Sequence, residues 1–312
     1  MKKIWKRTSL AFIAAFTLMN IIAATHAYKF THYSTKGERT KSSGQTTLQK
    51  LALLFTGIDN PRPKNLELPA HPYTTVNIKS NVNIECWLIP ALSAPRGTII
   101  LHHGYTSSKS QLLTRAEYFL RNGYNCMLVD FMGSGGSGGN STTVGVKEAG
   151  EVKDCFQWLQ QTGEKKIFLY GSSMGAVAIM NAISDFDIAP KAIIIECPFA
   201  TMYQTVAIRF KNMGVPTFPM AHLLLFWGGV ENGFWGYSHN PVVYAEKIKC
   251  PVLLQYGEKD DRVAPEETSA IFENLHCSKQ RVNYPLAGHD DYIKKYPAEW
   301  ESNTIQFLHA NN

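Results

Sequence analysis

From Tyr73 onward, short β-type runs alternate with helical segments, and several of those runs are apolar on both faces. The stretches TIIL (98–101), IFLY (167–170), AIII (192–195) and VLLQ (252–255) show no polar alternation. A strand without a wet face belongs in a sheet covered on both sides, the signature of parallel strands flanked by helices. The β-type runs are Val76–Ile78, Ile84–Ile89, Gly97–His102, Asn125–Asp130, Lys166–Tyr170, Ala192–Glu196, Val252–Tyr256 and Gln280–Tyr284. Between them fall helical segments at Leu112–Asn122, Gly145–Gln161, Met174–Ile183 and Glu266–Leu275, and a last one follows at Pro297–His309. The pattern predicts the α/β class: an open, mostly parallel central sheet with helices on both faces. Its first two runs have no helix between them, which predicts an antiparallel hairpin at one edge.

One stretch interrupts the alternation. Phe199–Lys249 is 51 residues between two late strands, rich in Phe, Trp, Met, Leu and Gly. Long insertions in compact domains commonly serve binding, so this one is expected to be a helical cap over an apolar pocket. The plainer alternative is a packed helical connection.

The N-terminus reads as a targeting segment. Lys2, Lys3, Lys6 and Arg7 precede Leu10–Ala24, a nearly continuous apolar run, and Thr25-His26-Ala27 supplies small residues around a cut after Ala27. That is the pattern of a secretory signal peptide over residues 1–27, with export to the periplasm or beyond. The alternative is an uncleaved inner-membrane anchor over residues 8–24, and with it membrane association. Removing the segment takes away four positive charges, so the formal charge falls from +6 to +6 − 4 = +2 over 312 − 27 = 285 residues. No later Lys/Arg block tracks phosphates, so nucleic acid is not expected as a partner. An apolar content of 45% with 18% charged residues excludes disorder. Residues 28–72 read as an N-terminal arm and 73–312 as the main domain, with the cap at 199–249.

All six cysteines lie beyond residue 27, so an oxidising compartment permits disulfides, while a domain this large equally accommodates buried thiols. Cys250 and Cys277 each precede a predicted strand and are expected to be near neighbours. No CxxC or other metal-ligand spacing occurs, and neither a metal nor a cofactor is expected.

The chemistry concentrates at Gly171-Ser172-Ser173-Met174-Gly175, which follows an apolar strand and opens an Ala-rich helix. This is GxSxG in the strand–turn–helix setting of a nucleophile elbow. Ser173 would stand clear at the carboxyl edge of the sheet, at a helix N-terminus that favours negative charge. A serine hydroxyl needs a base to take its proton and a third group to hold that base. His289 sits in a loop after the last strand, in Ala287-Gly288-His289-Asp290-Asp291. The acid falls in Gly257-Glu-Lys-Asp260-Asp261-Arg262-Val263, where adjacent residues face opposite ways. Asp260 is the favoured acid and Asp261 the alternative, while Glu196 at an earlier strand end reads as a buried structural carboxylate. The oxyanion would be held by two backbone N–H groups, of Met174 and of Tyr105 in the LHHGY loop. His102 and His103 are expected to pack and shape that loop.

Gly133-Ser-Gly135-Gly-Ser-Gly138 imitates a dinucleotide fingerprint. It does not follow the first strand of the sheet, and the acids downstream (Glu148, Glu151, Asp154) fall in a helix, so it reads as a turn beside the active site.

Taken in order, LHHGY, VDFMGSGGSGG, GSSMG, LLQYGEKDDRV and AGHDDY resemble the α/β-hydrolase fold, in its branch of serine aminopeptidases and acylglycerol lipases. The resemblance covers about Tyr73 to Leu308. It implies Ser173, Asp260 and His289 as the catalytic triad, Tyr105 and Met174 as oxyanion donors, and Phe199–Lys249 as the cap. Cys197-Pro198-Phe199 and the apolar cap sequence match no pattern of that family. The expected activity is cleavage of carboxylic esters through an acyl-enzyme. A peptidase or amidase with the same triad is the alternative, and a non-catalytic relative that binds lipid or protein stands outside the enzymes.

Overall fold

The structure is a computed structural model that describes residues 2–34, 46–289 and 292–312. Among these, eight strands form one sheet: β1 (Thr74–Lys79), β2 (Asn83–Ile89), β3 (Thr98–His102), β4 (Asn125–Val129), β5 (Ile167–Ser172), β6 (Ile193–Glu196), β7 (Val252–Gly257) and β8 (Lys279–Tyr284). The helices in chain order are α1 (Lys2–Thr31), α2 (Thr47–Thr56), α3 (Leu113–Arg121), α4 (Glu148–Gln161), α5 (Met174–Phe186), α6 (Met202–Asn212), α7 (Met220–Asn232), α8 (Pro241–Ala245), α9 (Pro265–Asn274), α10 (Tyr292–Lys295) and α11 (Pro297–Ala310). The strand order is β1-β2-β4-β3-β5-β6-β7-β8. Pairings from β4 through β8 are parallel, and β2 joins both β1 and β4 antiparallel. The chain has the α/β-hydrolase fold, with the expected hairpin at one edge and helices α6–α8 inserted between β6 and β7. Strands β3, β5, β6 and β7 are buried at every position, as their unbroken apolar sequences require. The edge strand β8 is polar and half-exposed.

The chain divides into two compact units, Met1–Pro61 with Met202–Ser238, and Arg62–Thr201 with His239–Asn312. In the first of these, the middle of the Phe199–Lys249 insertion packs on the N-terminal helix.

In the first unit, small residues bring α1 and α7 together. Ala23 and Ala27 are fully buried, and a side chain on Gly228 would begin 3.9 Å from the Ala27 methyl. Trp227 Nε1 donates to Asn20 Oδ1 at 3.0 Å, and the Arg209 guanidinium lies 4.4 Å over the Phe30 ring. Lys29 pairs with Asp59 at 3.0 Å. The other end of α1 is bare: Ile4, Trp5, Leu10, Phe12, Ile13 and Phe16 are exposed. Ala27, after which a signal peptidase would cut, lies inside this helix.

In the second unit, the glycine-rich loop after β4 is a carboxylate cradle. The Lys109 ammonium, fully buried, pairs with Asp130 and with Glu85. The loop wraps this cluster so closely that a Cβ on Gly135 (φ 47°) would fall 1.9 Å from Asp130 Oδ2, and one on Gly136 2.1 Å from Glu85. Gly136 N–H donates to Asp130 Oδ2 at 3.0 Å. Burial pushes the Asp130 carboxyl up, but Lys109 and His103 outweigh it and hold its pKa below the ordinary value. The glycines here make room for the protein's own carboxylates.

Glu196 behaves as a structural acid. It ends β6 fully buried, accepts from Arg115 at 2.8 Å, and accepts from Trp300 Nε1 at 2.6 Å. All six cysteines are thiols, four of them buried, with Cys86 and Cys155 sulfurs 4.0 Å apart. Cys277 lies near enough to Cys250 to help burial raise the Cys250 pKa to about 12.

Candidate active site

Ser173 sits between β5 and α5 at φ 51° and ψ −113°, a left-handed geometry that costs a non-glycine residue about 1–3 kcal/mol. The two glycines around it make the turn possible. A Cβ on Gly171 would meet the Gly175 carbonyl carbon at 2.5 Å, and one on Gly175 would meet His102 O at 2.4 Å. Ser173 N–H donates to Glu196 O at 2.8 Å, which ties the turn to β6.

The loops after β7 and β8 meet this hydroxyl. His289 Nε2 lies 3.1 Å from Ser173 Oγ, and His289 Nδ1 lies 2.8 Å from Asp260 Oδ2. With Nδ1–H donating to the carboxylate, Nε2 presents its lone pair to the serine. The other Asp260 oxygen accepts from the N–H groups of Arg262 (2.8 Å) and Val263 (3.0 Å), so the carboxylate cannot swing away. Gly257 lets the two loops touch, because a Cβ there would fall 2.5 Å from the carbonyls of both Ala287 and Gly288. Lys259 N–H then donates to Ala287 O at 2.9 Å. Asp261 points outward, its side chain 79% exposed and 4.0 Å from Arg262. Asp290 and Asp291 lie outside the described residues.

Burial lowers the affinity of His289 for a proton. The adjacent Cys197 sulfur and the Asp260 carboxylate override it and raise the pKa to about 10.

The His102–Tyr105 loop lies against the nucleophile: a Cβ on Gly104 would be 3.6 Å from Ser173 Cβ. His103 donates through Nδ1 to Gly104 O (2.8 Å) and accepts at Nε2 from Phe131 N–H (3.1 Å), a pattern only the neutral ring satisfies. Burial lowers the pKa of both histidines, that of His102 to about 3. They shape the loop, as their sequence context suggested. Met174, the first residue of α5, is buried, and its sulfur receives the Thr142 hydroxyl at 3.3 Å.

Three residues around the site were not legible as such. Glu148, fully buried, accepts from Thr143 N–H (2.8 Å), Gly145 N–H (2.9 Å) and the Thr142 and Thr143 hydroxyls (both 2.6 Å), which fixes the loop behind Met174. His239 holds the same loop through Val144 O at 3.1 Å, and burial lowers its pKa to about 4. Cys197 lies with its sulfur 3.8 Å from His289 Nε2. A signal for it existed. Glu196 pairs with Ser172 in the β5–β6 register, so the residue after it had to fall beside Ser173.

Comparison with known proteins bears on the fold. The serine aminopeptidase family (S33) matches residues 93–226. YqkD, an uncharacterized protein of Bacillus subtilis, is 28% identical over 186 residues, which span 58% of this chain and 61% of that protein. Protein bem46 of Schizosaccharomyces pombe is 24% identical over 240 residues, 74% of each chain. The structure of the Pyrococcus furiosus esterase Pf2001 superposes with a TM-score of 0.66 at 27% identity, covering 80% of this chain and 98% of that one. The chain has the α/β-hydrolase fold, and the proteins it resembles include an esterase and the serine aminopeptidase family.

Proposed function

We propose that this protein cleaves carboxylic esters through an acyl-enzyme, with Ser173, His289 and Asp260 as its catalytic triad. The observation that carries the reading is the continuous relay from Asp260 Oδ2 through His289 to Ser173 Oγ, at 2.8 and 3.1 Å. Ser173 Oγ attacks the ester carbonyl while His289 Nε2 takes its proton. Asp260 orients the ring and stabilises the imidazolium. The N–H groups of Met174 and Tyr105 receive the oxyanion, a role supported by the loop's approach to Ser173 and by Met174 opening α5. His289 then protonates the leaving alcohol, and water repeats the sequence with His289 as base. Each step needs only this chain's own groups and water.

The likeness to an esterase at 27% identity favours ester substrates. The serine aminopeptidase match favours a second reading, in which the same groups cleave an amide. Fluorophosphonate labelling of wild type beside Ser173→Ala tests the nucleophile. Labelling of the wild type alone is expected, and equal labelling of both would refute the assignment. A panel of acyl esters against aminoacyl amides then separates the two substrates.

The N-terminal helix serves as a membrane anchor in this proposal, one that exports the chain and stays attached. Its exposed apolar end is flanked by Lys2, Lys3, Lys6 and Arg7, the basic flank expected on the cytoplasmic side. Ala27 is buried within a helix, which disfavours the extended conformation that a peptidase must grip. Membrane fractionation with mass analysis of the N-terminus tests this, and a mature protein beginning at Tyr28 would overturn retention.

A further inference from the structure

We propose that Cys197 and His289 form a binding site for a thiophilic divalent cation, Zn2+ above all, and that its occupancy switches the hydrolase off. The consequence for activity rests on the catalytic reading above; the site itself rests on geometry alone.

A tetrahedral Zn2+ with a thiolate at about 2.3 Å and an imidazole nitrogen at about 2.0 Å holds those two atoms about 3.5 Å apart. Cys197 Sγ and His289 Nε2 are 3.8 Å apart, so the ion fits between them after a shift of a few tenths of an ångström. Ser173 Oγ, 3.1 Å from the same nitrogen, or a water takes a third corner.

Among the described residues, Cys197, Asp260 and His289 are the group whose possible ligand atoms cluster, all within 4.8 Å of one another. Asp260 is the poorer ligand of the three. Both its oxygens are engaged, Oδ2 by His289 Nδ1 and Oδ1 by two backbone N–H groups. It is therefore the outer carboxylate of a carboxylate–histidine–zinc arrangement, which fixes the ring and strengthens Nε2 as a donor.

Two further features set the sulfur in place. Cys197 is held at φ 41°, left-handed backbone for a non-glycine residue, with its N–H donating to Gln255 O at 3.0 Å. The Tyr292 hydroxyl, on a fully buried side chain, borders the same sulfur. On binding, Zn2+ replaces the thiol proton, which leaves to solvent, and takes the Nε2 lone pair. That lone pair is the one that must accept the Ser173 proton, so turnover stops.

The test uses full-length protein in detergent micelles, in a Cys250→Ser/Cys277→Ser background that silences the partly exposed thiols. Titration with Co2+ is expected to produce a thiolate-to-Co2+ absorption band at one equivalent, bleached when Zn2+ displaces the Co2+. Cys197→Ser and Cys197→Ala, each shown folded by circular dichroism, are expected to lose the band, and His289→Gln to weaken it. In parallel, Zn2+ is expected to suppress ester turnover reversibly by chelator. Cys197→Ser then requires about tenfold or more Zn2+ for the same suppression. Absence of the band, or its survival in Cys197→Ser, would overturn the proposal. A band in a protein that turns over neither ester nor amide and takes up no fluorophosphonate would instead uphold the metal site and refute the hydrolase reading.

Discussion

Asp260 holds His289 through Nδ1 at 2.8 Å while its second oxygen is pinned by two backbone N–H groups, so the ring is presented to Ser173 in one tautomer. Asp260→Asn offers an amide in place of the carboxylate and favours the wrong tautomer. We expect kcat to fall by about 10⁴-fold with KM little changed. Asp261→Asn, whose side chain is 79% exposed, should leave turnover within about twofold. Steady-state kinetics on both variants separates the two neighbouring acids; the reverse ranking would remove Asp260 from the triad.

The pH profile follows from the environment of His289. Burial opposes the proton there, but Cys197 and Asp260 prevail and raise the pKa to about 10. Only the neutral ring can act as base, so a raised pKa moves the acidic limb of kcat/KM toward higher pH. Activity is expected to climb from neutral pH into the alkaline range, with a midpoint well above the ordinary histidine value of about 6.5. Cys197→Ala removes the largest raising influence and should shift the midpoint down. A midpoint at or below the ordinary value in wild type would contradict this account.

The glycine cradle predicts a stability effect with no catalytic signature. A methyl at Gly135 or Gly136 would collide with Asp130 or Glu85, the two partners of the buried Lys109. Gly136→Ala is expected to destabilise by about 1–3 kcal/mol. Gly135→Ala should cost more, because φ 47° also disfavours alanine. Denaturant midpoints measure both, and unchanged midpoints would mean that the loop moves aside freely.

How far the sequence reached is clearest by contrast within this unit. Strands β3, β5, β6 and β7 were legible because burial on both faces leaves a run of apolar residues that needs no partner to recognise. Ser173, Asp260 and His289 stood out as site candidates because each sits in a turn or loop that follows a strand. Gly133–Gly138 imitates a phosphate-binding motif because close approach to a phosphate and close approach to Asp130 impose the same demand on the backbone. Glu148 looked like an ordinary helix acid, and only the folded loop brings four donors to it. Pairing of α1 with α7 was hidden for a related reason. Ala23, Ala27 and Gly228 are small residues whose meaning appears only when two distant segments meet.

Glu196 gives a sharper stability test. It is fully buried, with Arg115 on one oxygen and Trp300 on the other. Glu196→Gln would remove the carboxylate that meets the buried Arg115 guanidinium at 2.8 Å, a loss of about 3–5 kcal/mol. Replacing Arg115 by Met together with Glu196→Gln should recover much of that, since the guanidinium that lost this carboxylate is gone too. Thermal unfolding of the single and double variants decides it; additive losses would show that the ion pair is not the reason.

The contact between α1 and α7 makes the last prediction. Gly228→Leu drives a branched side chain toward Ala27, whose methyl lies 3.9 Å from the position of the new Cβ. Overpacking of this kind costs about 1–3 kcal/mol, and here it falls on the pairing of two helices. The C-terminal half of α1 should then open more often, exposing the bond after Lys29, which is held in the helix and paired with Asp59. Each 1.4 kcal/mol lost corresponds to about a tenfold rise in the open population, and limited trypsin digestion reads that population directly. Faster cleavage at Lys29 is therefore expected in Gly228→Leu. Leu10→Ala, on the exposed end of the same helix, should leave the rate unchanged. Equal rates in all three proteins would mean that the packing of Ala27 against Gly228 does not hold the helix.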